Sequence, residues 1–409
     1  MSRPSLRSLG VLAASGAATI GTALVPPVLG ATTAGAGPPP TGPGLTATTV
    51  LAGSSLSHTF TDVNTGMKAS EPLSHPDDIT RLGFDIFVGF QNGVGPQGQA
   101  NANGNLDSTV VEMTPFGKEV AQWDIQGKAD GVTADPGTGQ VIATVNEDAN
   151  SSLYTITPGP GGGAVHNYVF NEPLPHNGGT DAISILNGNI LISASAPGTT
   201  GTLPAPQPTF PAVYKVSLDA TTFVATVNPV FNDEAPARVA NVNQANYGKL
   251  VQLALTDPDS NEIVPAGMRF GGEFMLTSQG DLEQIFVGNP AGPDQQLSVL
   301  TLTQAVDDTA FPAGRGVLYA TDSTDDTVAA ITGAFPFSPV AVATPCGANS
   351  APPICTTPNY LSTINPWTGQ VDQLSVGGTT FQPQGGLLYI LSQANQNQNQ
   401  NQDQDQNQQ

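Results

Sequence analysis

The amino-acid sequence predicts an all-β protein, and the architecture it favours is a β-propeller of six blades, each with four antiparallel strands. Three observations predict it. The 409 residues include 46 Gly and 36 Pro, and only 11% are charged, so turn residues are frequent and helical periodicity is scarce. Short β-branched runs recur at a spacing of about 40 to 50 residues, which is typical of propeller blades. The chain ends on strand-like runs that need partners from elsewhere. Seven blades is the alternative.

The repeat is clearest from residue 130 onward, where an Asp opens an apolar run and three further strands follow. That template reads ADGVTAD, QVIATV, SLYTIT and AVHNYVF. We identify copies that begin at DDITRLGFDIFVGF, TDAISILNGNILISAS, PAGMRFGGEFMLTS and VDDTAFPAGRGVLYATDS, and the remains of a sixth at NYLSTINPWTGQVDQLSV and FQPQGGLLYI. The last copy lacks outer strands. We expect TTVLAG and SHTFT, near residues 48–61, to supply them, because closing the ring with both chain ends removes an exposed sheet edge.

The segments that flank the repeats predict four regions. Residues 1–36 combine basic residues, a short apolar run and an A-x-A sequence, which predicts a secretory signal peptide. Pro26 and Pro27 interrupt the apolar run, so we expect no membrane span in the mature chain; a permanent anchor is the alternative. Residues 37–47 form a Pro/Gly-rich linker, residues 48–391 the propeller, and residues 392–409 a disordered Gln/Asn-rich tail.

Charge and cysteine content narrow the partners and the compartment. The formal net charge is −22, which argues against binding nucleic acid or anionic lipid and leaves cations as small partners. The only two cysteines, Cys346 and Cys355, flank a Pro-rich stretch and predict a loop disulfide in a secreted, extracellular protein; two free thiols are the alternative. We expect a monomer, and the sequence does not identify the small-molecule or cell-surface ligand.

The residues that open the inner strands are the candidate site, because inner strands line the central channel of a propeller. These positions hold Asp78, Asp130, Asp181, Asp307 or Asp308 and, in the weaker copies, Ala266 and Gln384. A ring of aspartates needs a counter-charge, so we predict a site for Ca²⁺ or another divalent cation formed by Asp78, Asp130, Asp181 and Asp308. In the alternative, each Asp only caps its own turn.

Two histidines precede these aspartates, His75 in HPDDIT and His176 in HNGGTDAISI. They are candidates for a base or a metal ligand at the channel mouth, or else are simply solvated loop residues. Other motifs lack their context. GVGPQG is followed by no helix, so we predict no nucleotide cofactor. Residues 146–150 and 257–261 have calcium-loop spacing without its Gly and Glu, and we interpret both as tight hairpin turns.

The sequences ADGVTADPGTGQVIATV and GVLYATDSTDDTVAAI resemble inner-strand and turn motifs of the gluconolactonase/SMP-30 and NHL-type propellers. The resemblance implies a central divalent ion held by a Glu, two Asn and an Asp, and Asp130 matches that Asp. The expected Glu-Gly-Pro segment is absent, and Asp181 replaces an Asn. The sequence therefore favours a secreted propeller that binds a ligand or a surface, with a central cation. The alternative is a metal-dependent, lactonase-like hydrolase or lyase at one channel mouth, so whether the protein is an enzyme stays open.

Overall fold

Strands account for nearly all of the regular structure. The computed structural model describes residues 44–175, 178–195, 210–345 and 357–392. Within these ranges there are 29 strands and one 3₁₀ helix, Gly53–Ser55, but no α-helix. No helix in the described part of the chain is long and apolar enough to cross a membrane. The all-β class predicted from the sequence is therefore confirmed.

The strands of the first half, in chain order, are β1 (Leu45–Ala52), β2 (Ser57–Thr61), β3 (Lys68–Pro72), β4 (Pro76–Leu82), β5 (Asp85–Phe90), β6 (Asp107–Met113), β7 (Glu119–Gln126), β8 (Ala129–Asp135), β9 (Gln140–Val145), β10 (Ser152–Thr157), β11 (Ala164–Phe170), β12 (Ile183–Leu186), β13 (Asn189–Ser193), β14 (Pro211–Asp219) and β15 (Val224–Asn232). Those of the second half are β16 (Pro236–Val239), β17 (Leu250–Gln252), β18 (Pro258–Ile263), β19 (Phe274–Ser278), β20 (Glu283–Gly288), β21 (Gln296–Thr301), β22 (Val306–Ala310), β23 (Arg315–Asp322), β24 (Thr327–Ala334), β25 (Val340–Ala343), β26 (Tyr360–Ile364), β27 (Val371–Gln373), β28 (Val376–Gly378) and β29 (Leu387–Leu391).

Strand pairing in the described ranges contains six runs of four antiparallel strands, which we call blades and list from the inner strand outward; β28 extends one run, β16 and β17 extend another, and the β11–β15 pair joins two runs into an eight-stranded sheet. Blade 1 is β4-β5-β6-β7, blade 2 is β8-β9-β10-β11, blade 3 is β12-β13-β14-β15, blade 4 is β18-β19-β20-β21, blade 5 is β22-β25-β26-β27 and blade 6 is β29-β23-β24-β1. Each inner strand neighbours the inner strand of the next blade, and β29 neighbours β4. The blades therefore form a closed ring, which is a β-propeller.

The hydrophobic core consists of six clusters, one between each pair of neighbouring blades. Strand β5 shows how the sequence produces this arrangement. Phe87 packs in the cluster shared with blade 2, while the next residue, Val88, packs in the cluster shared with blade 6. Successive strand residues point to opposite faces, so a strand covered on both faces is a continuous apolar run. The runs DIFVGF and QVIATV have this character, and both are central strands.

The chain closes the ring partly as the sequence predicts. TTVLAG belongs to β1, which pairs antiparallel with β24 and completes blade 6, so this prediction is confirmed. SHTFT does not join that blade; it is β2, which pairs with β3 in a separate hairpin. The sheet also begins earlier than expected, because residues 45–47, assigned to the linker, already lie in β1.

Two of the predicted repeats are wrong in their strand assignment. In the fourth, the inner strand is β18 (Pro258–Ile263); Ala266 lies in the loop that follows it. In the fifth, VDDTA forms β22, but the run that follows it in the sequence, β23, pairs with β29 and β24 in blade 6. The partner of β22 is β25, from residues 340–343. The physical reason is closure: the β23–β24 hairpin has both edges paired only between β29 and β1.

Candidate functional site: an acidic channel mouth

The inner strands share a local irregularity that directs carboxyl groups into the channel. In β4, β8, β18 and β22, one extra residue interrupts the pairing with the neighbouring strand, which is a β-bulge. The bulged pairs are Asp77-Asp78, Asp130-Gly131, Asp259-Ser260 and Asp307-Asp308. Bulges re-aim side chains and are frequent beside functional sites. The first residue of every one of these pairs is an aspartate.

The other two blades vary the pattern. Asp181 precedes β12, and its backbone N–H donates to Ser193 O, while the N–H of Ser193 donates to the adjacent Ala182 O. In blade 6 the chain before β29 is Gln384-Gly385-Gly386, with Gly385 next to both Asp77 and Asp307. Gly385 has a φ of +78°, and a Cβ there would lie 2.2 Å from Asp77 Oδ1. A glycine is therefore required at this position of the ring.

A cavity of about 740 Å³ lies at this end of the channel. The sequence-predicted residues Asp78, Asp130, Asp181 and Asp308 all line it, as does Gln384. Its other carboxyl groups belong to Asp77, Glu147, Asp259, Glu262 and Asp307. Among the described residues that line the cavity, the only basic one is Lys128. The four aspartates that the sequence spacing grouped together therefore lie in one cavity.

Two of the predicted ligands, Asp78 and Asp308, are structural clasps between blades. Asp78 accepts hydrogen bonds from the N–H of Ile79 at 2.7 Å and from the N–H of Val132, in the next blade, at 2.5 Å. Asp308 accepts from the N–H of Thr309 and the N–H of Leu387, both at 2.6 Å. In each case both carboxyl oxygens bond to backbone. Burial nevertheless raises the pKa of Asp78 to about 7.

Asp130 takes part in a charged network on the channel wall. Its Oδ1 lies 2.9 Å from Lys128 Nζ and accepts a hydrogen bond from Gln91 Nε2 at 3.2 Å. Gln91 also donates to Asp77 Oδ2 at 2.8 Å, and Lys128 also pairs with Glu147. Asp130 is only 4% exposed, and its Oδ2 has no hydrogen-bond partner among the described residues. Burial raises the pKa of Asp130 to about 7, although Lys128 acts against the increase.

Asp181 and Asp259, from blades 3 and 4, are neighbouring buried carboxyl groups that can form a hydrogen bond to each other. Two carboxyl groups can form such a bond only if a proton lies between them. Burial, and then repulsion from nearby carboxylates, raises the pKa of both groups well above the ordinary value. The raised pKa values favour a proton on this pair of carboxyl groups in the cavity wall.

Sequence reasoning missed Asp259. It lies in the stretch DPDSN, which we interpreted as a hairpin turn, but β18 begins at Pro258 and its bulge directs Asp259 toward the channel. The signal that would have found it is an Asp near the start of a short strand that follows a turn, as in DDIT, DGVT and DDTA. The companion stretch at residues 146–150 does form a tight turn, in which Asn146 Nδ2 donates to Asn150 O.

His75, the predicted channel-mouth histidine that the structure describes, does not line the cavity. His75 is exposed, has a φ of +54°, and its Nδ1 lies 3.0 Å from Ser74 Oγ; it is not among the residues that line the cavity. His176, Cys346 and Cys355 lie outside the described residues, as do the signal segment and most of the tail. Asp135, by contrast, ties down its own turn, accepting from the N–H of Gly137 at 2.9 Å.

The described residues do not identify a site for the divalent ion implied by the resemblance. They contain no group of three or more His, Cys, Asp or Glu side chains arranged to hold a metal ion. The matched residue, Asp130, is already bonded to the Lys128 ammonium at 2.9 Å. Lys128 places one positive charge beside Asp130, and burial raises the pKa values of Asp130 and Asp259, which favours their uncharged forms. The central cation stays a prediction.

The fold and the site together define a β-propeller with an acidic channel mouth. No family model and no curated protein matches the chain. Its structure is similar to the periplasmic gluconolactonase of Pseudomonas aeruginosa, with 13% identity, 85% of this chain and 99% of that chain covered, and a TM-score of 0.40. It is also similar to a putative 6-phosphogluconolactonase from Bacteroides fragilis, with 11% identity, 87% and 100% coverage, and a TM-score of 0.38.

A third similar structure is hydrazine synthase from Kuenenia stuttgartiensis, with 11% identity, 72% of this chain covered and a TM-score of 0.36. The chain spans 64% of the length of that protein. Identities and TM-scores this low assign no activity, so the residues of the channel have to supply the functional evidence.

Proposed function

We propose that the channel mouth is a hydrolytic site in which the Asp181–Asp259 pair acts as acid and base on an ester or lactone bond. The observation that carries this proposal is the position of the pair: two interacting carboxyl groups with raised pKa values, on neighbouring blades, in the wall of a 740 Å³ cavity. A shared proton provides an acid and a base at the same pH, because repulsion prevents both groups from ionising together.

The pair can complete a hydrolytic cycle without another catalyst. The ionised carboxylate takes a proton from water as the water oxygen bonds to the acyl carbon, and the protonated carboxyl group gives its proton to the carbonyl oxygen. When the C–O bond of the ester breaks, the protonated member of the pair gives its proton to the leaving oxygen, and the ionised member takes the proton of a hydroxyl group of the tetrahedral intermediate, so the pair again holds one proton. The products are an alcohol and a carboxylic acid, which a lactone retains in one molecule. Lys128 places one positive charge near the developing negative charge.

The test is hydrolysis of a panel of neutral lactones and aryl esters between pH 4 and 8. We expect a bell-shaped dependence of kcat/KM on pH, since activity requires one proton on the pair. Asp181→Asn and Asp259→Asn each keep the size of the side chain but cannot ionise, so each should lower kcat/KM by roughly 100-fold or more. Asp135→Asn, in a turn outside the cavity lining, is the matched control and should retain full activity.

Absence of hydrolysis across the panel, or equal rates for the wild type and both pair variants, would refute the proposal. Circular dichroism spectra that match the wild type would show that a loss of rate in a variant is not a loss of fold.

The second candidate is the one the sequence favoured, a propeller that binds a ligand or surface without chemistry. The unpartnered Oδ2 of the buried Asp130 supports it, because a buried carboxylate oxygen without a partner is costly and a bound donor would relieve that cost. Binding to the wild type without turnover of any substrate would favour this candidate. We also propose, from the sequence alone, that the protein is exported from the cell and that Cys346 and Cys355 form a disulfide bridge.

A further inference from the structure

The charge of the cavity depends on how its carboxyl groups are paired as well as on how many there are. Nine carboxyl groups line it against one ammonium, that of Lys128. Two of the nine, Asp78 and Asp308, are engaged by backbone N–H groups, and Lys128 is divided between Asp130 and Glu147. The carboxyl groups of Asp77 and Asp307 have no lysine, arginine or histidine in salt-bridge contact within the described residues. An anionic ligand would meet repulsion on every wall.

The surroundings of Gly385 indicate where a positively charged group would lie. Gly385 is the only inner-strand opening position without a side chain, and Asp77 and Asp307 flank it: a Cβ at Gly385 would lie 2.2 Å from Asp77 Oδ1, and its N–H donates to Asp307 Oδ2 at 3.4 Å. Gln91 joins Asp77 to Asp130 through hydrogen bonds from one nitrogen. The three aspartates therefore border one part of the cavity. We call Asp77, Asp130 and Asp307 the acidic subsite.

An independent observation indicates that this subsite lacks a ligand group. Asp130 is 4% exposed, and its Oδ2 has no hydrogen-bond partner among the described residues. Lys128 and Gln91 both bond to Oδ1 of the same carboxyl group, so the other oxygen stays available. A buried acceptor without a donor is uncommon in folded proteins and is often explained by a group not seen. The missing group must be a hydrogen-bond donor.

From these observations we propose that the acidic subsite binds the ammonium group of an organic substrate, so that the enzyme selects amine-bearing lactones or esters over anionic ones. An ammonium has three donors and no acceptor, which matches a subsite of carboxylate oxygens. It donates to carboxylate oxygens at about 2.7 to 2.9 Å, whereas Ca²⁺ coordinates them at about 2.3 to 2.6 Å, so the two cations need different spacings of the oxygens. The described side chains form no metal-binding group, in agreement with this choice.

This inference rests on the proposed function, since the subsite lies in the cavity that holds the Asp181–Asp259 pair. It also sets this chain apart from an enzyme for phosphorylated lactones, which carry negative charge. The selectivity arises from position: the ammonium at Asp77, Asp130 and Asp307 orients the scissile bond toward the pair. A neutral substrate lacks that contact, and an anionic one is repelled.

The experiment compares two probes that differ only in the ammonium, homoserine lactone and γ-butyrolactone, at pH 7, where the amine is protonated and the subsite carboxyl groups, whose pKa values burial raises, ionise more fully than in acid. Calorimetric titration uses the Asp259→Asn protein, which turns the probe over slowly. We expect homoserine lactone to bind at least tenfold more tightly than γ-butyrolactone, with affinity that falls as salt is added. Introducing Asp77→Asn or Asp307→Asn into that background should remove the preference, while Asp135→Asn should preserve it.

The outcomes separate this inference from the proposed function. Tighter binding of homoserine lactone that survives both subsite substitutions would overturn the subsite, as would equal binding of the two probes. Hydrolysis of neutral lactones by the wild type without any preference for the amine would overturn the inference and leave the proposed function standing. A preference for the amine in binding, without hydrolysis of either probe, would support the subsite and overturn the hydrolase. Displacement of homoserine lactone by equimolar CaCl₂ would overturn the choice of an organic cation.

Discussion

Asp78→Asn should make the stability of the protein less dependent on pH, and Asp78 is the best group to examine because its contacts are fully defined. Both of its oxygens accept backbone N–H groups, from Ile79 and from Val132 in the next blade. Burial raises its pKa from 3.8 to about 7. A group whose pKa is higher in the folded state stabilises that state below the unfolded pKa, and loses this contribution as the pH rises through the folded pKa.

The magnitude follows from the size of the shift. About 3 pH units at 1.36 kcal/mol each give at most about 4 kcal/mol, lost mainly between pH 4 and pH 7. The other channel carboxyl groups with raised pKa values act in the same direction, so the wild type should be several kcal/mol more stable at pH 5 than at pH 8. As the pH rises, the free energy of unfolding of Asp78→Asn should decrease less steeply than that of the wild type, with a slope smaller by up to about 1.4 kcal/mol per pH unit.

The assay is urea unfolding at half-unit intervals from pH 5 to pH 8. Asp78→Asn also loses one acceptor for a backbone N–H, which costs about 1 to 3 kcal/mol at every pH, so the comparison uses slopes and not absolute values. Asp219→Asn is the control. Asp219 lies in an exposed turn where hydrogen bonds from Thr222 and Thr221 lower its pKa, so it titrates below this window. Wild-type stability that increases from pH 5 to pH 8, or identical slopes for the wild type and Asp78→Asn, would refute the reasoning.

The remaining predictions concern the ring, the clasps and the chain ends. Phe274→Ala removes a fully buried side chain between blades 3 and 4 and should cost about 3 to 5 kcal/mol, measured by urea unfolding; a cost under 1 kcal/mol would contradict the packing. Gly131→Ala should destabilise the protein, because its Cβ would lie 2.6 Å from Asp181 O, whereas Gly188→Ala, with open space around it, should cost less and only through its φ of +74°. Deleting residues 1–52 removes β1 from blade 6 and should lower the melting temperature; an unchanged value would mean that β1 does not complete the ring. Intact-mass analysis of the exported protein should show a chain that starts near residue 37 and carries the Cys346–Cys355 bridge, and two free thiols would exclude the bridge.

The sequence predicted the parts of the fold that depend on local pattern. The strands of blades 1 to 3 lie where the repeats indicated, because each of these blades is one continuous run of chain. Blades 5 and 6 exchange strands, and no local signal distinguishes β23 following β22 from β23 pairing with β29; that choice depends on ring closure. Pairing between distant segments is a property of the whole chain and not of any window.

The site, like the fold, could be predicted from the sequence only in part. The aspartates that open inner strands were predicted to share a channel, and they do line one cavity. Their different roles could not be predicted, because Asp78 and Asp308 are separated from Asp77 and Asp307 by a single position, and the bulge decides which carboxyl group bonds to the backbone of the next blade. Lys128 was not identified either. Its ion pairs with Asp130 and Glu147 depend on how β8 and the end of β9 adjoin, which composition does not reveal.

The most direct test of the account is a titration of the aspartate carboxyl carbons by ¹³C NMR, in the wild type, Asp181→Asn and Asp259→Asn. The account predicts a wild-type titration step well above the ordinary aspartate value of 3.8, which is lost or displaced in both variants because the two groups share one proton. Titration of every aspartate near its ordinary value, or an Asp181 step that is unchanged in Asp259→Asn, would contradict it.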